Sequence, residues 1–250
     1  MAGAGNALSA FGQRLRMFRK GRGWTQEDLA RRTNRHWTYI GGLERGERNP
    51  TLIVICELAA ALAIQPGELL AEPHPICETF NASVSDILDA IGKGFRAQID
   101  VKGKLAELYM NRRLDALRAS GAIEDLVWLD VDGRPDFLVR HRGREMNVEC
   151  KNIRNETYAN PPSYKVELQR TRNSMDGTPT RGYKAEDFDV LGVSLFNQTR
   201  RWDYLYVATR HLERRSTMPD LLKVMQRVPM EPNDVWTPDP LQAFDDALGM

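Results

Sequence analysis

Apolar residues recur at helical spacing through residues 8–70, with polar residues between them. Phe11, Leu15 and Phe18 predict a first amphipathic helix, which Gly23 ends. Later Gly and Pro residues divide the rest of the segment in the same way. Four further helices are predicted over 26–33, from 35 or 36 to 45, over 51–62, and briefly after Pro66. The segment therefore predicts an all-α bundle of five helices.

The junction between the second and third helices predicts a sharp corner. Thr25 is typical of a helix cap, and Asp28 three residues later completes a capping pattern. Asn34 tolerates a left-handed backbone, so the chain is expected to reverse there, as in helix pairs that bind DNA. Leu29, Ala30, Ile40 and Leu43 are predicted to pack the corner, and Trp37, Thr38, Gly41 and Gly42 to face outward. Trp37 is equally suited to packing in a core or dimer contact.

The second part of the chain mixes helical and strand patterns. In chain order it predicts helices over 83–97 and 102–117, strands over 137–139 and 146–150, a basic helix over 164–175, and strands over 188–196 and 204–209. Gly143 lies in a polar turn between the first two strands, which predicts a hairpin. This order predicts an α/β domain.

Length and composition indicate two domains. The chain has 250 residues, more than a common single domain. Pro73 and Pro75 discourage regular structure between the two patterns. The tail from Pro229 is rich in proline and acidic residues. The predicted boundaries are 1–72 for the helical domain, 73–82 for a linker, and 83–250 for the α/β domain with its tail.

Two acids and one lysine cluster around the predicted hairpin. Asp136 follows Pro135, and Glu149, Cys150 and Lys151 lie in the returning strand. Alternate residues of a strand share a face, so Glu149 and Lys151 project together while Cys150 points into the core. Mg²⁺ prefers oxygen ligands, which Asp136, Glu149 and the Cys150 main-chain carbonyl supply. Lys151 would then stand beside a water that attacks a phosphodiester. The same short pattern also occurs at solvated hairpin edges without any chemical role.

These residues, in this order of elements, resemble the PD-(D/E)xK nuclease superfamily, which includes many restriction endonucleases. The resemblance covers residues 100–212 and depends on Glu107, Pro135-Asp136 and Glu149-Cys150-Lys151. It implies a mixed sheet flanked by helices and Mg²⁺-dependent cleavage of double-stranded DNA, with Mn²⁺ as an expected substitute. It assigns metal binding to Asp136 and Glu149, activation of the water to Lys151, and the role of auxiliary acid and further ligand to Glu107.

The segment TQEDLARRTNRHWTYIGGLERGERNPTL, followed by LAAALAIQPGELL, resembles the Cro/C1-type (XRE) helix-turn-helix family. Within that family it looks most like the controller proteins of restriction-modification systems, which implies DNA binding as a homodimer. The resemblance implies that Gln26 meets a phosphate at a helix start. The other candidate DNA contacts are Arg35, His36, Trp37, Thr38 and Tyr39 on the third helix, Arg45 and Arg48 beyond it, and Gln169 and Arg172 in the second domain.

Charge is unevenly distributed along the chain. The formal net charge is +1, yet residues 13–48 contain ten Lys or Arg against four Asp or Glu. Residues 216–250 contain two against six. Positive potential is therefore concentrated in the predicted DNA-binding segment, and binding is expected to depend strongly on salt.

Three interpretations follow. The first is a type II restriction-like endonuclease whose helix-turn-helix domain aids site recognition. The second is a transcriptional regulator with a non-catalytic, nuclease-like dimerisation domain, and a restriction enzyme that represses its own operon would satisfy both. The third is a non-catalytic partner protein such as an antitoxin or phage-type repressor. The expected location is cytoplasmic, with no membrane association, and a cognate DNA methyltransferase is an expected partner in a restriction system.

Overall fold

The computed structural model describes residues 2–70, 75–80, 82–129, 131, 133–169 and 182–250. The chain forms two compact units, Met1–Phe95 and Arg96–Met250. The division thus falls after the segment 73–82 that the sequence predicts as a linker. Arg172, a predicted DNA contact, lies outside the described residues.

Five helices form within residues 2–70 of the N-terminal unit, as the periodicity predicts. Thr25 and Asp28 form the expected capping box, in which each side chain accepts from the other's backbone N–H. Asn34 has a φ of 50°, so the chain turns there in the left-handed conformation that the sequence predicts. The helices are α1 (Ala2–Gly21), α2 (Gln26–Arg32), α3 (Trp37–Glu44), α4 (Leu52–Leu62) and α5 (Pro66–Leu70).

A single apolar cluster holds these helices together. Leu15 of α1, Leu29 of α2, Leu43 of α3 and Leu58 of α4 are completely buried in it. Gly12 lets α1 approach α3 closely, since a Cβ there would lie 2.4 Å from the Leu43 carbonyl oxygen. The position of α3 therefore depends on close backbone contact as well as on side-chain packing.

The predicted linker contains regular structure, which corrects the sequence interpretation. Pro75 begins helix α6 (Pro75–Phe80), because proline is well tolerated in the first turn, where its missing N–H has no partner to lose. Helix α7 (Val84–Lys93) follows, with a capping box between Ser83 and Asp86. It ends at Lys93, with Gly94 as its C-cap, within the predicted helix 83–97.

The C-terminal unit is built on a mixed sheet, which has seven strands within the described ranges. β1, β2 and β3 form an antiparallel meander, β5 pairs with β3 in parallel, and β6 pairs with β5 antiparallel. The far part of β3 also pairs with β4, which pairs with β7. The strands are β1 (Asp125–Trp128), β2 (Phe137–His141), β3 (Arg144–Ala159), β4 (Pro162–Glu167), β5 (Val190–Ser194), β6 (Tyr204–Ala208) and β7 (Met225–Val228).

Two helices of this unit share one face of the sheet. Met110 of α8 (Phe95–Ala119) and Phe244 of α10 (Pro240–Leu248) pack in the same cluster as Val148 and Cys150 of β3. The short helix α9 (Phe196–Thr199) lies next to β3. The sheet is mixed and accompanied by helices, as the sequence predicts. Across the described ranges, no helix combines the length and apolar character that a membrane crossing requires.

The basic helix predicted over 164–175 is wrong over its first part, where Tyr164 to Glu167 belong to β4. Val166 and Leu168 are buried while their neighbours are more exposed, and this period of two favours a strand. Residues 170–175 lie outside the described part of the chain. The strands β1 and β7 were not predicted, because each is only four residues long.

Gly12→Ala tests the close approach of α1 and α3. The added Cβ would meet main-chain oxygens that cannot rotate away, so we expect the free energy of unfolding of the N-terminal unit to fall by about 1–3 kcal/mol. Gly67→Ala in α5 is the control, since its Cβ would have nothing within 4 Å. Equal stability of the two variants in urea denaturation would contradict the close contact.

Candidate nucleic-acid interface and acidic cluster

The turn at Asn34 brings the start of α3 to the surface. The His36 side chain caps this helix: its Nδ1 lies 3.3 Å from the Thr38 backbone N and 2.7 Å from Thr38 Oγ1. Trp37 and Thr38 are exposed and Tyr39 is half-buried, whereas every residue from Ile40 to Glu44 is buried. The protruding part of α3 is therefore its first turn.

Gly41 and Gly42 are buried, which corrects the expectation that they face outward. A Cβ at Gly41 would lie 3.1 Å from Arg45 Nη1 and 3.2 Å from Gln26 Oε1. A Cβ at Gly42 would lie 3.0 Å from Arg48 Cγ. The two glycines thus make room for polar side chains from α2 and from the segment after α3, which lie across the helix.

A buried ion pair holds the end of α3. Arg19 Nη2 donates to Glu44 Oε2 over 2.9 Å, and Gln26 Nε2 donates to the same oxygen over 2.9 Å. Both charged side chains are under a tenth exposed. The hydrogen bond that Arg19 donates to Glu44 raises the pKa of Arg19, against the opposing effect of burial. Gln26, predicted to meet a phosphate, is therefore fixed against α3.

The other predicted DNA contacts of this unit lie at its surface. Arg35 pairs with Glu57, and its guanidinium lies 5.5 Å from the centre of the Tyr39 ring. Arg45 Nε lies 2.7 Å from Glu47 Oε1. Arg48 is exposed. Phosphates would compete with carboxylates for Arg35 and Arg45. Gln169, in the other unit, is also exposed.

The acidic cluster forms where the start of β2 pairs with β3. Phe137 is opposite Val148, so Asp136 comes close to Cys150, whose backbone N donates to Asp136 Oδ2 over 2.8 Å. Glu149 is 3% exposed and forms an ion pair with Lys151. The side chain of Lys151 is 24% exposed. The structure therefore brings Asp136, Glu149 and Lys151 together, as the hairpin pattern predicts.

Burial and charge shift the pKa values in this cluster. Burial, followed by the neighbouring charge of Glu149, raises the pKa of Asp136 to about 7. Burial is the largest single effect and disfavours the Lys151 ammonium, but the combined influence of Glu149, Tyr183 and Asp136 outweighs it, so the pKa of Lys151 is raised above its ordinary value. Lys151 is therefore charged at neutral pH, while the Asp136 carboxyl is partly protonated.

Two further aromatic residues contact these acids. The Tyr183 hydroxyl donates to Glu149 Oε1, and Lys151 Nζ lies 5.4 Å from the centre of the Tyr183 ring. Trp128 Nε1 donates to Glu107 Oε2 over 3.2 Å, and Lys104 Nζ lies 2.8 Å from the same oxygen. Sequence reasoning missed both aromatic residues, because neither belongs to a motif and Tyr183 is far from Glu149 along the chain.

The donor chemistry of the cluster is that of a hard-cation site, with Asp136 and Glu149 as the nearest pair of carboxylates. Glu107 is close enough for its charge to raise the pKa of Asp136, as the smallest of the contributing effects. Among the described residues, however, no group of three or more His, Cys, Asp or Glu side chains is arranged to hold a metal ion. A cation would therefore need Glu149 to exchange contacts with Lys151 and Tyr183.

Comparison with known proteins concerns the N-terminal unit. A profile of the family described as "Helix-turn-helix domain" matches residues 10–72. The chain is similar to the control protein C.BamHI of Bacillus amyloliquefaciens, with 43% identity over 66 residues, or 26% of this chain and 82% of that protein. It is also similar to the restriction-modification controller protein C.AhdI of Aeromonas hydrophila, with 50% identity over 25% of this chain and 94% of that one, and a TM-score of 0.25. A structure of the controller protein C.Esp1396I, a tetramer with its natural 35 base-pair operator, shares 32% identity over 26% of this chain and 96% of that one, with a TM-score of 0.24.

The chain belongs to the helix-turn-helix family of DNA-binding domains through residues 10–72. Its N-terminal unit resembles the control proteins of restriction-modification systems. Each of these matches covers about a quarter of the chain. They therefore concern DNA binding by the N-terminal unit and not the chemistry of the acidic cluster.

Asp136→Asn tests the electrostatics of the cluster. A carboxyl whose pKa is raised from 3.8 to about 7 in the folded protein binds its proton more tightly when folded, so stability falls as pH rises between these values. We expect the free energy of unfolding of the wild type to decline relative to Asp136→Asn from about pH 4 to pH 7, and the difference to level off above that. Asp100→Asn, at an exposed position of α8, is the control. Parallel pH profiles for wild type and Asp136→Asn would contradict the shifted pKa.

Proposed function

We propose that this protein is a gene regulator that binds double-stranded DNA through its N-terminal unit, with the start of α3 in the major groove. The observation that carries the proposal is the exposed first turn of α3 within a segment that belongs to the helix-turn-helix family. In this motif the second helix of the corner enters the major groove and its N-terminal residues contact base edges. The similarity to control protein C.BamHI favours a regulatory role.

The charge of the segment that contains α3 supports the proposal. Residues 13–48 carry ten basic side chains against four acidic ones. Arg45 and Arg48 follow α3, at the surface where they can reach phosphates on either side of the groove. Such contacts position a protein on DNA without reading its sequence. Arg35, held by Glu57 in the free protein, would exchange this carboxylate for a phosphate.

A homodimer is part of this proposal. Two copies related by a two-fold axis would present two α3 helices to half-sites about one helical turn apart, on a palindromic operator. If the protein serves a restriction-modification system, a cognate DNA methyltransferase is its functional partner.

Arg48→Ala tests the phosphate contact. Loss of one phosphate contact is expected to weaken binding uniformly across sequences and to reduce the slope of log K against log salt by about one unit. Affinity is measured by fluorescence anisotropy on duplexes selected by the wild-type protein from a random library. Arg16→Ala, at an exposed position of α1, serves as the control. If the Arg48 variant binds with the wild-type salt slope, Arg48 does not contact phosphate.

A second candidate function is favoured by the acidic cluster, namely hydrolysis of DNA as in PD-(D/E)xK nucleases. Asp136 and Glu149 are adjacent, buried or partly buried acids with Lys151 beside them. In this proposal Asp136, Glu149 and the Cys150 carbonyl hold Mg²⁺ or Mn²⁺, with Glu107 as an outer acid. The cation would supply a water activated for attack on a phosphodiester. Lys151 would orient that water and offset the charge that develops on the phosphate.

Incubation with unmodified plasmid and Mg²⁺ distinguishes the two functions. If the cluster is catalytic, the wild type cuts, and Asp136→Ala, Glu149→Gln and Lys151→Ala each lower the rate by at least about a hundredfold while DNA binding persists. Glu145→Gln, at an exposed position of the same strand β3, is the matched control. Binding without cutting would leave gene regulation as the supported function. Cutting by all three variants at the wild-type rate would show that the acidic cluster is not catalytic.

A further inference from the structure

The exposed surface of α3 is dominated by one side chain. Trp37 is 48% exposed at the first position of the helix. Thr38 is the other exposed residue of α3, but its hydroxyl lies 2.7 Å from His36 Nδ1 and takes part in the helix cap. The part of the helix that would enter the groove therefore presents mainly an indole ring.

Among the residues that the structure describes, Trp37 makes no packing contact comparable to that of Trp24, the other tryptophan in this unit. Trp24 packs against the apolar cluster of the bundle, and the guanidinium of Arg32 lies 4.1 Å from the centre of its ring. Trp37 is absent from that cluster, and its described ring contact is with His36, at 5.7 Å and tilted. A large aromatic side chain held outward in this way can contact a ligand at little cost in conformational entropy.

The indole restricts which features of DNA this turn can recognise. Its single polar group is the Nε1–H, a donor, so it cannot make the bidentate hydrogen bonds by which Arg, Asn or Gln distinguish bases. The next turn carries Gly41 and Gly42, which offer no side chain at all. The apolar feature that the major groove displays is the C5 methyl group of thymine. A methylated cytosine presents a methyl group at the same ring position.

We propose that Trp37 recognises the C5 methyl group of a pyrimidine in the major groove, and that this contact determines part of the sequence preference. The proposal rests on the DNA-binding function proposed above. Gln26, Arg45 and Arg48, which lie across the two glycines, would supply the polar contacts around this apolar one. The apolar contact at the helix start would thus read the sequence, while the flanking side chains position the helix on the DNA.

The experiment removes or adds single methyl groups on the DNA. The full-length wild-type protein first selects duplexes from a random library, and its affinity for the best duplex is measured by anisotropy. Each thymine is then replaced in turn by deoxyuridine, and each cytosine by 5-methyldeoxycytidine. The same series is measured with Trp37→Ala, Trp37→Phe and, as a control, Met17→Ala, which removes another exposed apolar side chain of the same unit.

We expect one or two methyl changes to alter wild-type affinity by about three- to fivefold, as burial of one methyl group predicts. Weakening by deoxyuridine identifies thymine as the source, and strengthening by 5-methyldeoxycytidine identifies methylated cytosine. Trp37→Ala should be insensitive to the same change, while Trp37→Phe and Met17→Ala retain the sensitivity.

Other outcomes overturn the inference. If the wild type binds its selected duplex but no methyl change matters, or if Trp37→Ala remains equally sensitive, Trp37 does not read a methyl group and DNA binding stands. If Trp37→Ala instead changes the sedimentation coefficient and loses binding to all duplexes alike, Trp37 is a contact between copies of the chain. Failure to select any duplex would overturn the DNA-binding function itself.

Discussion

The arrangement of the DNA-binding unit depends on one buried ion pair, between Arg19 of α1 and Glu44 at the end of α3. Glu44 also accepts from Gln26 of α2, so one carboxylate connects the first three helices. Removing one member of a buried pair leaves an uncompensated charge, which costs about 3–5 kcal/mol. The pair therefore ties the end of α3 to α1 and α2, in addition to the apolar packing of the bundle. The surface that α3 offers to DNA follows from this constraint.

Glu44 holds the buried end of α3, and only the first turn of this helix is exposed. Gly41 and Gly42 would each weaken an isolated helix by about 1 kcal/mol. Here they are buried beneath Arg45, Arg48 and Gln26, and any larger residue would displace these side chains. The two glycines thus lower the helix propensity of α3, but they let the side chains of Arg45 and Arg48 lie close to its backbone. The result is a helix with an exposed aromatic side chain at its start and with Arg45 and Arg48 after its end.

The two predicted sites differ in how much of them sequence could predict. The corner at Asn34 and the cap at Thr25 are local, so their residue types alone indicate the backbone conformation. The proximity of Asp136 to Glu149 follows from the two-residue period of a hairpin and the register of Phe137 with Val148. The contact of Tyr183 with Glu149 and the burial of Gly41 depend on chain segments that meet only in the folded protein. The same holds for β4, where packing against β3 overrides a sequence that reads as a basic helix.

Burial of adjacent acids in the cluster lowers the stability of the fold, and the two acids Asp136 and Glu149 have different hydrogen-bond partners. Glu149 accepts from both Lys151 and Tyr183, whereas Asp136 accepts from the backbone N–H of Cys150. Burial and the adjacent Glu149 then raise the pKa of Asp136 to about 7, so the carboxyl is partly protonated at neutral pH. Apolar residues of similar volume would remove this cost. Perturbed carboxyls of this kind are concentrated at functional sites, because burial and neighbouring charges there match the pKa of a group to its chemical task. A cation at this site would therefore have to compete with a proton on Asp136, and with Lys151 and Tyr183 for Glu149.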